Sequence, residues 1–80
     1  MPKFFVTLSP MPADQVTSAC RKVLVTSAGT GLRTDAAYVD TALGQPMCFW
    51  DAPDRGSVVK LFARAGVKPE SVREVMPYHA

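Results

Sequence analysis

Eighty residues with a formal net charge of +2, 48% of them hydrophobic and 20% charged, describe one folded globular domain and exclude a disordered or strongly charged chain. Charges of both signs are interspersed and no basic run exceeds Arg21-Lys22, which argues against a nucleic-acid-binding face. The apolar stretch of MPKFFVTLSPMP is too short for a signal peptide or a spanning helix, so the expectation is a cytoplasmic protein with no membrane association.

Residues 3–8, KFFVTL, are β-branched or aromatic at most positions and predict a strand, with Phe4, Val6 and Leu8 on one face and Lys3, Phe5 and Thr7 on the other. SPMP ends it, because proline has no ladder donor. Over 13–28 the apolar positions Val16, Ala19, Cys20, Val23 and Leu24 recur with a helical period, Asp14 sits in the first turn, and AGTG supplies the stop. Residues 33–42 predict a second strand of mixed pattern, LGQP a turn, and 46–51 a third strand, the two strands forming an antiparallel hairpin. DAPDR opens a second helix over 54–65, capped by Asp54 or Asp51, striped by Val58, Leu61, Phe62 and Ala65 and stopped at Gly66. Residues 72–77 predict a last strand, and 76–80 a flexible tail.

The order βαββαβ predicts a ferredoxin-like α+β sandwich: a four-stranded antiparallel sheet, strand order 4-1-3-2, with both helices on one face. The other face is the open question. An antiparallel sheet wet on one side alternates polar with apolar residues. The third strand does not, since Met47 and Phe49 point one way and Cys48 and Trp50 the other, and the first carries Phe5 opposite Phe4 and Val6. An aromatic cluster on a bare sheet calls for a cover. The expected cover is a second copy, sheet packed on sheet in a dimeric α/β barrel; the alternative is a roof formed by the tail Pro77-Tyr78-His79-Ala80.

Tyr38-Val39, then Cys48, Trp50, Ala52 and Pro53 before an amphipathic helix, then Gly66, Val72, Glu74 and Val75, resemble a small bacterial family of dimeric ferredoxin-like proteins of unknown function, some labelled nickel-binding. The likeness spans about 36–76. It implies a homodimer and, in some members, nickel. Ala36 and Ala37 stand where the family pattern has His-Ser, and Leu61 where its helix has His, so the imidazoles that would suit nickel are missing here.

The candidate ligand or interface residues are Tyr38, Cys48, Trp50, Phe5 and Asp51, with Tyr38 and Trp50 expected to share a face through the hairpin. Cys20 and Cys48 are neither a disulfide scaffold nor a metal clip and read as free, buried thiols. His79, the only histidine, is the single imidazole available for a metal contact. Asp51 reads as a helix cap, and no substrate-positioning motif accompanies the carboxylates Asp35, Asp40 and Asp51. GTG at 29–31 is no phosphate loop, because it follows a helix and lacks a Lys-Ser/Thr ending. The leading functional reading is a non-enzymatic homodimeric module binding a small ligand or metal, with no catalytic residue assigned. The others are a small dimeric α/β-barrel enzyme, of the isomerase or cofactor-free monooxygenase type, with a cavity on the sheet, and an adaptor subunit of a larger complex.

Overall fold

The computed structural model describes residues 1–78. Its elements are β1 (Lys3–Thr7), α1 (Ala13–Ser27), β2 (Arg33–Asp40), β3 (Gln45–Asp51), α2 (Arg55–Ala65) and β4 (Ser71–Val75). The sheet is antiparallel throughout, in the order β2-β3-β1-β4, and both helices supply the core side of it. This is the ferredoxin-like arrangement expected from the element order.

Strict alternation in β1 decides which face meets the helices. Phe4, Val6 and Leu8 are buried, as are Trp50 and Val72 from the neighbouring strands. From α2 come Val58 and, three and four residues on, Leu61 and Phe62, which together form a single stripe. Trp50 and Phe62 meet edge to face, ring centroids 6.2 Å apart and planes at 82°, an arrangement that sets the positive ring edge against a negative ring face. Ala52 is fully buried, and its N–H donates to the Pro2 carbonyl just before β1.

The two helices are held unequally. Asp54 caps α2: its Oδ1 accepts from the Ser57 N–H at 2.7 Å and from the Ser57 hydroxyl at 2.9 Å. Gly66 closes the helix in the left-handed region, φ 73°, where a side chain would be strained. Helix α1 starts at Pro12 with no side-chain cap and buries only Val23, while Leu24 is 51% exposed. The expected stripe is present, but Ala19 on the helix and Thr34 and Ala37 on β2 are too small to fill the space beneath it.

Those two bonds from Ser57 hold the Asp54 carboxyl below its ordinary pKa. The folded value lies below the unfolded one, so this contribution is present above the unfolded pKa and is lost as pH falls through the folded one. Asp54→Ala is therefore expected to lower the urea midpoint at neutral pH. The gap between variant and wild type should close in strong acid.

Boundaries differ from expectation by one or two residues, chiefly at the hairpin. Strand β2 ends at Asp40, whose carboxylate accepts from the N–H groups of Ala42 and Leu43 and so folds the chain into the turn. Gly44 completes the turn at φ 68°, and its carbonyl accepts from the Met11 N–H. Strand β4 stops at Val75, ahead of Pro77.

Candidate functional site on the open sheet face

The face away from the helices is built from Lys3, Phe5 and Thr7 of β1, Met47, Phe49 and Asp51 of β3, Tyr38 of β2, and Ser71 and Arg73 of β4. Register brings them together: Phe5 lies opposite Phe49, Lys3 opposite Asp51, Tyr38 opposite Met47, and Phe5 opposite Arg73 on its other side. Phe5 and Phe49 are half-buried and in contact, with ring centroids 4.9 Å apart and planes tilted 39°. Tyr38 beside them is 60% exposed. The middle of the face is thus aromatic.

Its ends are polar. At one end Lys3 Nζ lies 2.6 Å from Asp35 Oδ2 and 3.0 Å from Asp51 Oδ1. Asp35 reaches this face because the β2–β3 register shifts between Thr34 and Ala36, a bulge that re-aims its side chain. The hydrogen bond to Asp35, then that to Asp51, raises the Lys3 pKa, and the same ammonium holds the Asp35 carboxyl below its ordinary value. Both groups are thereby fixed in their charged forms, which suits an ion cluster and not proton transfer at neutral pH. At the other end the Thr7 and Ser71 hydroxyls share a 2.6 Å hydrogen bond.

The sequence-derived candidates divide between the two faces. Phe5, Tyr38 and Asp51 lie on the open side. Cys48 and Trp50 lie on the helix side, where Trp50 is 2% exposed and its Nε1–H donates to Cys48 Sγ at 3.1 Å. Tyr38 and Trp50 therefore do not share a face. Asp51 does not cap α2 but binds Lys3. His79 lies outside the described residues. Burial pushes the Cys48 thiol up to about 11, against a smaller opposing effect of the Trp50 hydrogen bond. Phe49 and Lys3 belong to the site without having been singled out. The alternation that assigns Phe4 and Val6 to the core sends Lys3 and Phe5 to the rear, and antiparallel pairing then sets Phe49 beside Phe5.

Among the described residues no helix is long and apolar enough to cross a membrane, and no group of three or more His, Cys, Asp and Glu could hold a metal ion. No curated protein matches the chain. A solved structure, the crystal structure analysis of SCO4226 from Streptomyces coelicolor A3(2), matches with a TM-score of 0.78 and 25% sequence identity, covering 98% of this chain and 99% of that one. The family model described as nickel responsive protein SCO4226-like matches residues 6–75. The fold, the element order and that match over most of the sequence agree, and the chain belongs to the SCO4226-like family.

Proposed function

We propose that this chain is a non-enzymatic binding module that works as a homodimer, its two open sheet faces packed against each other. The observation that carries the reading is the contacting Phe5–Phe49 pair at the centre of a face that the chain's own elements leave uncovered. The tail does not roof it as far as it is described, since Met76 is 83% and Tyr78 88% exposed. The folded chain is a slab 35 × 32 × 17 Å, so its broad face has room for the ~800 Å² per partner of an ordinary stable interface. Aromatic residues at the centre with ions at the rim is the composition such interfaces favour.

The family name carries nickel responsiveness, but the residues described here do not fit a nickel site within one chain. Ala36, Ala37 and Leu61 offer no donor atoms in their side chains, and Leu61 is in the core. The reading therefore places recognition in the paired faces and their rim and assigns no step to nickel. The two cysteines, both free, support residence in a reducing compartment, the cytoplasm.

Sedimentation equilibrium of untagged protein at micromolar concentration is expected to return twice the 8.6 kDa chain mass. A stable species of one chain mass would overturn the reading.

A further inference from the structure

Between the loop joining α1 to β2 and the flank of α2 lies a cleft of about 310 Å³, at the lower end of the roughly 300–1,000 Å³ of small-molecule sites. Leu32, Pro53 and Leu61 supply an apolar wall, Lys60 and Arg64 supply charge, and no acidic residue lines it. We propose that this cleft binds a small organic carboxylate, its anionic head on Lys60 and Arg64 and its carbon body on the apolar wall.

Three observations carry it. The first is charge. Lys60 and Arg64 stand four residues apart on α2, where like charges repel and weaken a helix. Arg64, in the last turn, suits the negative end of the helix dipole, but Lys60, a turn earlier, has no such reason. Among the described residues the ion pairs involve only Lys3, so neither cation of the cleft is paired within the chain. The field of Lys60 reaches the Asp54 carboxylate, but Asp54 lies outside the lining and its Oδ1 accepts from the Ser57 N–H and hydroxyl. The second is the state of the other polar side chains. The Thr30 hydroxyl donates to the Ser27 carbonyl and accepts from the Leu32 N–H, so it shapes the loop, while the Ser57 hydroxyl serves Asp54. That leaves two cations, which are donors only, and such a set selects an anion. The third is the apolar wall beside them, which a bare inorganic ion would leave unused. A carboxylate suits both features, since a guanidinium takes it through two parallel hydrogen bonds while the carbon body covers the wall. The cleft belongs to the helix layer, away from the open sheet face, and does not depend on the proposed pairing.

The test is an NMR titration of backbone amide shifts in untagged protein at low ionic strength, with phenylacetate, with neutral phenylacetamide and with inorganic phosphate. Phenylacetate should give saturable shifts centred on Gly31, Leu32, Lys60 and Arg64, with a dissociation constant of about 1 mM or tighter. The amide, which keeps the body and loses the charge, should bind at least about tenfold more weakly. Phosphate, which keeps the charge and loses the body, should also bind more weakly. Lys60→Gln and Arg64→Gln should each weaken phenylacetate binding roughly threefold, and the double variant about tenfold, the modest scale of exposed ion pairs. Both side chains are exposed, so the fold survives their replacement, and unchanged shifts elsewhere establish that. Added salt should weaken phenylacetate binding by screening. An amide that binds as tightly as phenylacetate, a phosphate that does so, a double variant with wild-type affinity, or a wild type without saturable shifts would each overturn the proposal.

Discussion

Replacing Trp50 by alanine is expected to remove about 3–5 kcal/mol of stability, the range for deleting a buried aromatic side chain. A domain of 80 residues has roughly 4–12 kcal/mol in total at the usual ~0.05–0.15 kcal/mol per residue, so this one change removes anything from about a quarter of it to all of it. The mechanism is specific. Trp50 is 2% exposed, packs edge-on against Phe62, and donates to Cys48. Alanine leaves a cavity in a core that already has an unfilled cleft beside it. Trp50→Phe retains the ring against Phe62 and should cost less than half as much. Urea unfolding followed by far-ultraviolet circular dichroism measures both, since the substitution removes the chain's one tryptophan as a fluorescence probe. A Trp50→Ala midpoint close to wild type would mean that α2 does not depend on this contact.

Phe49→Asp should have the opposite profile, with a small effect on the subunit and a large one on assembly. Within one chain the substitution loses the Phe5 contact, a loss of ~0.5–1.5 kcal/mol for an aromatic pair. In a two-fold interface each substitution occurs twice. Central aromatic anchors are worth at least ~2 kcal/mol apiece, so the pair should weaken association by roughly a thousandfold before charge repulsion is added. Sedimentation should therefore show a folded monomer. A Phe49→Asp protein that still sediments as a dimer would place the interface elsewhere; Tyr38→Asp, nearer the edge of the face, should weaken association less.

The architecture could be read because local signals agreed with one another. Alternation in 3–8, helical spacing in 13–28 and 54–65, and Pro or Gly between elements leave the order βαββαβ without a rival, and strand order follows from it. The site was less legible, and the reason is parity. With the hairpin strands taken to end at 42 and to resume at 46, Tyr38 falls opposite Trp50. The Asp40 side chain ends β2 two residues sooner, β3 begins one residue earlier, and Tyr38 then falls opposite Met47. A shift by an odd number of residues exchanges the faces of a strand. The Lys3–Asp35 pair was hidden for a related reason, because Asp35 gains its direction from a bulge that no residue type in 33–40 announces. Cys20 and Cys48 were read as separate thiols, since nothing in the spacing of a helix and a distant strand shows that they line one cleft.

The position of β1 has a consequence for how the molecule is made. The strand made earliest of these four is an inner strand, bounded by β3 on one side and β4 on the other. It emerges with both flanks unmatched, gains one mate only when residues 45–51 follow, and waits for Ser71–Val75 to close the second. Until residues 55–65 follow, Phe4, Val6 and Leu8 have no α2 to shelter them, and until Ser71–Val75 follow, any strand-like segment nearby competes for the bare flank. A nascent chain stalled before Ser71 is therefore the form of this protein most in need of a chaperone.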